Sequence, residues 1–236
     1  AGGNNKVMKD ISLIAFDADD TLWECQTYFE AVEKEYCELL KSYASADEIS
    51  KALFAVETAN MPLLGYGSKA FLLSLLENAI EVSGGRLKAD EVEKIIKLGK
   101  ELLQLPGKPM DGVEETLKVL RERGEYHLVV FTKGELLDQE NKFHRSGLKP
   151  YFDDIIVVSD KTEASYYQLC ERFSINVEQL LMVGNSFRSD IEPVLKLGGW
   201  AAHIPFHTTW QHEVVEEYKH SHLLKLEYFT QLKQVL

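Results

Sequence analysis

The spacing of apolar and polar residues changes twice along the chain. The segment "SLIAFD" (12–17) is a short, nearly unbroken apolar run, which reads as a strand buried on both faces. From about Cys25 the period lengthens. "TYFEAVEKEYCELLKSY", "ADEISKALFAVETAN", "SKAFLLSLLENAIEVS" and "ADEVEKIIKLGKELLQL" each carry apolar residues at helical spacing, with short polar or glycine-containing turns between them. Successive helices with no strand among them predict an all-α bundle. "PGKPMDGV" (106–113) then punctuates the chain with prolines and glycines, as at a return crossing.

Beyond that point strand and helix patterns alternate. Strands "YHLVVFT" (126–132), "DIIVVS" (154–159), "QLLMVG" (179–184) and "WAAHIP" (200–205) are interleaved with helices "GVEETLKVLRERG", "GELLDQENKFHRSG", "EASYYQLCERFS" and "RSDIEPVLKLG". Such βαβ units predict an α/β fold, a three-layer Rossmann-like sandwich around a central parallel sheet. The helical block interrupts this core just after its first strand. Residues 1–24 and 106–236 are therefore expected to form the core and residues 25–105 an inserted helical cap, with hinges near Trp23–Thr27 and Leu105–Met110. The first eleven residues read as a polar tail. The segment after Trp210 reads as non-catalytic and as ending in a packing helix.

Composition narrows the class. A hydrophobic fraction of 45% in 236 residues supports a proper core. A formal charge of −12 argues against nucleic acid and against an anionic membrane surface, so an anionic substrate would need a few cations concentrated locally. Cys25, Cys37 and Cys170 have no framework spacing, which suggests free thiols in a reducing compartment. The polar opening lacks a cleavable-signal pattern, and no apolar stretch approaches the roughly 20 residues of a membrane span. The expectation is a cytoplasmic protein, monomer or homodimer.

In open α/β sheets the site lies beyond the carboxyl ends of the strands. Strand one ends in Asp17, followed by Asp19 and Asp20; strand two ends in Thr132 and Lys133; strand three leads to Lys161; strand four runs into "GNSFRSD", Gly184 to Asp190. Clustered carboxylates at the mouth of a buried strand repel one another and resist burial. A cation among them and a phosphoryl group beside them would justify the arrangement.

Here the sequence resembles the haloacid dehalogenase superfamily, in particular its phosphatases with a helical cap of the first type. "DADDT" matches the Asp-x-Asp-x-Thr signature, "VVFT" the strand ending in Thr or Ser, Lys161 the third-motif lysine, and "GNSFRSD" the acidic fourth motif. The resemblance implies a Mg2+-dependent hydrolase of a small phosphorylated metabolite. Asp17 would be the nucleophile that forms an aspartyl-phosphate, and Asp19 the general acid and base. Thr132 and Lys161 would hold the phosphoryl group and offset its charge. Asp17, the backbone carbonyl of Asp19, Asn185 and Asp190 would serve the metal, while Lys133 and Tyr66, on a loop between cap helices, would touch the substrate. Asn185 departs from the family, which has an aspartate there. An amide oxygen still ligates Mg2+ but brings no charge. Two alternatives use the same core: a phosphosugar mutase, and a weakened member that binds a phosphorylated ligand. The dehalogenase reaction needs no metal and no second acid, and Asp19, Lys133 and the acidic fourth motif argue against it.

Overall fold

The apolar run after Asp10 becomes β1 (Leu13–Phe16), every residue of which is buried. It lies at the middle of a parallel sheet in a computed structural model that describes residues 10–236; most of the predicted polar tail, residues 1–9, lies outside the described residues. The other strands are β2 (His127–Lys133), β3 (Asp154–Val158), β4 (Leu180–Gly184), β5 (Trp200–His203) and β6 (Leu223–Lys225), in the order β3-β2-β1-β4-β5-β6. Phe16 pairs with Val130 on one side and Val183 on the other. This register places Asp17, Thr132 and Asn185 on one rim of the sheet.

Helices α1 (Gln26–Leu39), α2 (Ala46–Leu64), α3 (Ser68–Val82) and α4 (Ala89–Leu102) follow β1, and α5 (Val113–Arg123), α6 (Leu136–Ser146), α7 (Glu163–Arg172), α8 (Glu192–Leu197) and α9 (Leu232–Val235) complete the chain. Alternate residues of the strands feed two cores. Ile14, Phe16 and Val130 pack with Leu117 and Leu120 of α5 and with Phe229 and Leu232. Leu13, Ala15 and Val129 pack with Tyr166 and Leu169 of α7 and Val194 of α8. The sandwich thus follows from the period-two alternation of a sheet covered on both faces. Helices α1 to α4 bury a third cluster of their own, including Val32, Tyr36, Ile49, Leu53, Leu75 and Ile95.

The two chain crossings to this helical unit run side by side. Met110 N–H donates to Leu22 O at 2.9 Å, and Trp23 bridges to Pro109. Asp20, in the left-handed region at φ 64°, accepts from the N–H groups of Cys25 and Gln26 at 2.7 and 3.0 Å and so caps the start of α1.

Two elements differ from the sequence reading. The segment expected as one helix, 188–198, is divided into a π-helical turn, Phe187–Ile191, and α8. Pro193 has no N–H to give to Ser189 O, and the Tyr166 hydroxyl donates to that carbonyl instead at 2.7 Å. The C-terminal segment also contributes an edge strand, β6, beside β5, and its helix α9 spans only Leu232–Val235. Three residues of strand carry no periodic signature.

Candidate active site

Asp17 leaves β1 with its carboxylate buried. Its Oδ1 accepts from Lys161 Nζ at 2.6 Å and its Oδ2 from Thr21 Oγ1 at 3.0 Å. The same Lys161 donates to Asp190 Oδ1 at 2.7 Å, while Asp190 Oδ2 accepts from the Ser186 N–H at 3.0 Å. The π turn carries Asp190 back under β4. Gly184 makes this approach possible, since a Cβ there would lie 2.5 Å from that of Asp190.

One lysine therefore serves two buried carboxylates. Burial and the charge of Asp190 push the Asp17 pKa up to about 7, against the pull of Lys161. Burial works against the Lys161 charge as well, but Asp17 and Asp190 together outweigh it and keep the ammonium protonated. The centre is left with excess negative charge.

Asp19 has a different environment. Its Oδ1 accepts from Lys142 Nζ at 2.8 Å and Trp23 Nε1 at 3.0 Å, and its Oδ2 from Gln139 Nε2 at 2.9 Å. Burial opposes its charge, yet these donors, led by Lys142, hold its pKa below the usual carboxylate range. Gln139 Nε2 also lies 3.1 Å from Thr132 Oγ1, tying that buried hydroxyl to the same network.

Lys133 donates to Ser189 Oγ at 3.1 Å, pairs with Glu213, and stands 3.9 Å from the centre of the Tyr66 ring. Burial works against the charge of Glu213, but Lys133 and the hydroxyls of Ser189 and Ser186 hold its pKa below the ordinary value. The structure thus brings together Asp17, Thr132, Lys161, Asn185 and Asp190 on the rim, with Asp19 beside them and Lys133 and Tyr66 against each other at the mouth. All eight residues singled out from the sequence line one cavity of about 180 Å³ between the sheet rim and the helical unit.

Sequence reasoning missed Lys142, Gln139, Glu213 and His212. The sequence did not mark the first two: α6 exposes Leu136 and Leu137 while burying Asp138, Gln139 and Lys142, the reverse of the face its apolar residues suggest. Glu213 and His212 lie in a single 3-10 turn, Gln211–Glu213, too short to carry a periodic pattern.

Asn185 carries the departure noted in the sequence. One of its side-chain amide positions lies 2.7 Å from Asp17 Oδ2, 3.2 Å from the Asp19 carbonyl oxygen and 3.2 Å from Thr21 Oγ1. With the amide oxygen there, oxygens of Asp17, Asp19 and Asn185 face one another. That hard-oxygen set beside excess negative charge fits Mg2+. With the amide turned over, its N–H groups donate to the same acceptors, and hydrogen bonding favours this orientation.

The family profile of haloacid dehalogenase-like hydrolases matches residues 11–198. The chain belongs to the haloacid dehalogenase-like hydrolases. A haloacid dehalogenase-like family hydrolase from Xanthomonas campestris is 33% identical and superposes with a TM-score of 0.86, covering 96% of this chain and 92% of that one. Haloacetate dehalogenase H-2 of Moraxella sp. (strain B) is 28% identical over 185 residues, 76% of this chain and 79% of the relative. The magnesium-bound putative HAD-hydrolase YfnB from Bacillus subtilis, 16% identical, shares the fold with a TM-score of 0.62 over 95% of this chain and 98% of that one. Among the described residues of this haloacid dehalogenase-like hydrolase, no helix is long and apolar enough to cross a membrane.

Proposed function

We propose that this hydrolase is a Mg2+-dependent phosphatase that hydrolyses a small phosphomonoester through an aspartyl-phosphate on Asp17. One observation carries the reading: a single lysine is shared by Asp17 and Asp190, so the rim holds more negative than positive charge beside an oxygen trio. Bound Mg2+, held by Asp17, the Asp19 carbonyl and Asn185 with Asp190 nearby, would supply the missing charge and screen the carboxylate from an anionic substrate.

The Asp17 carboxylate would attack phosphorus as the ester oxygen departs in line. Thr132 Oγ1 and Lys161 Nζ would hold the equatorial oxygens. Asp19, ionised by Lys142, Gln139 and Trp23, is in the state to take a proton from the water that cleaves the intermediate. To give a proton to the leaving oxygen it must first gain one and loosen from Lys142. Residues 25–105 would act as the cap that shields the intermediate, on the core of 1–24 and 106–236.

The test is phosphate release from a panel of small phosphomonoesters, with and without chelator. Asp17→Asn should lower turnover by roughly a thousandfold or more. Isomerisation of a sugar phosphate without phosphate release would point to a mutase instead. Tight binding of a phosphorylated ligand with no turnover would point to a binding protein.

A second reading is dehalogenation. It is favoured by the turned-over Asn185 amide, which satisfies Asp17 and Asp19 with no cation, and by the Moraxella relative. Halide release from haloacetate in the presence of chelator would establish it, and phosphate release that depends on Mg2+ would exclude it as the main activity.

A further inference from the structure

On the cap side of the cavity stands one acid that the proposed chemistry does not use. Glu57, on α2, is 9% exposed and lines the cavity together with Phe29, Phe71 and Trp210. Its Oε2 is 3.0 Å from His212 Nε2, whose ring stacks on Phe54 at 4.1 Å and meets Trp210 at 4.7 Å. Its Oε1 takes no hydrogen bond from the described residues, and it is not closed off from the cavity. A carboxylate nine-tenths buried among aromatic rings, with one oxygen unpaired, is costly unless a ligand completes it.

The charge of the cavity says which ligand group would do so. Eight carboxyl groups line it against three lysines, each already paired: Lys133 with Glu213, Lys142 with Asp19 and Asp138, Lys161 with Asp17 and Asp190. Burial and the excess of acid show in the pKa values of Asp17, about 7, and Glu57, about 8. The dianion of a phosphomonoester and a divalent cation would cancel each other and leave that imbalance in place. A neutral hydroxyl would satisfy Oε1 but would not reduce it. A substrate cation would do both, and the aromatic rings around Glu57 favour an ammonium as well.

We propose that Glu57, held by His212, is a specificity residue that binds an ammonium group at the end of the substrate remote from its phosphate. The substrate class is then an amine-bearing phosphomonoester. This inference rests on the phosphatase reading. Burial, with Glu33 adding to it, pushes the Glu57 pKa up to about 8, and an arriving ammonium would draw it back down, so ligand and acid stabilise each other's charge. The loop that carries His212 also carries Glu213, the partner of Lys133, so occupancy of the cap end and order at the phosphate end share one segment.

The experiment compares kcat/KM for a short series of ω-aminoalkyl phosphates with their ω-hydroxy and alkyl counterparts, with 4-nitrophenyl phosphate as a generic ester, in the wild type and in Glu57→Gln. The expected result is a preference of about tenfold or more for the amine in the wild type, collapsing to within about twofold in the variant. A hydroxy ester that matches or exceeds the amine overturns the proposal, as does an amine preference that survives in Glu57→Gln. Those outcomes leave the phosphatase reading standing as long as 4-nitrophenyl phosphate is turned over. Silence on every ester, generic one included, would sink the phosphatase reading and the inference with it. Should Glu57→Gln not fold, Glu57→Asp serves instead: it keeps the charge, withdraws it from His212, and should cut the preference without reversing it.

Discussion

Two aspartates two residues apart in sequence have opposite electrostatic surroundings. Burial and the charge of Asp190, with which it shares Lys161, push Asp17 up to about 7, whereas Asp19, also buried, accepts from Lys142, Gln139 and Trp23 and is held low. The difference lies in the donor count of each carboxylate. Lys142→Met should remove the main force holding Asp19 ionised, leaving burial to raise its pKa. As a base Asp19 works only when deprotonated, so the acidic limb of the pH–rate profile should move to higher pH and kcat should fall by roughly ten- to a hundredfold. An unmoved acidic limb would mean that Asp19 is not the base. Asn185→Asp places a carboxylate where the amide now stands and removes the N–H groups that can satisfy Asp17 without a cation. Titration calorimetry should show Mg2+ binding at least about tenfold tighter in the variant. Equal affinity would mean that position 185 does not face the metal.

At the scale of elements, the site depends on how β4 turns into α8. The π turn sets Asp190 against Gly184, where Lys161 and the Ser186 N–H fix it from two sides. Gly184→Ala would push into this anchored side chain, and we expect a loss of about 1–3 kcal/mol of stability, read by chemical denaturation, together with a severe loss of turnover. An alanine variant that melts and turns over like wild type would show that Asp190 can yield. The order of strands and helices was legible in the sequence because long alternations of period impose it: an unbroken apolar β1, then helical repeats, then βαβ units. The rim motifs were legible because each sits at the end of a strand whose register is set by its neighbours. The π turn was not, because the helical period runs through "RSDIEPVLKLG" and the interruption comes from Pro193 together with Tyr166 of another helix. Lys142 and Gln139 were hidden within an ordinary polar helix sequence, since only the inserted direction of α6 reveals that its polar face is the buried one.

Across the whole molecule the helical unit and the core meet through a few polar and aromatic contacts. His212 reaches Glu57, Thr208 Oγ1 donates to Glu30 at 2.5 Å, and Lys69 N–H donates to Glu135 at 3.1 Å. His212→Ala should loosen this closure, raising KM more than it lowers kcat and increasing the radius of gyration in solution scattering. Wild-type values of both would mean that other contacts set closure. Glu57 also ties stability to pH. Its folded-state pKa of about 8 lies above the ordinary value, so the folded chain keeps a proton that the unfolded chain releases. Its contribution is thus present at low pH and lost as pH rises from the ordinary glutamate range through about 8. Glu57→Gln should melt above wild type at pH 9, with the gap closing near pH 4. The measurement that tests the central claim most directly is a single turnover of a phosphomonoester in 18O-water, with enzyme in excess, followed by mass analysis of the phosphate and of the peptide containing Asp17. Attack of Asp17 on phosphorus, with water then cleaving the P–O bond, predicts one 18O in the released phosphate, none in Asp17, and a phosphorylated Asp17 peptide when the turnover is quenched in acid; direct attack of water would give the same phosphate without that adduct. Label in the Asp17 carboxylate would instead mean that water attacks the carboxyl carbon of an ester intermediate, as dehalogenation requires, and would contradict the account.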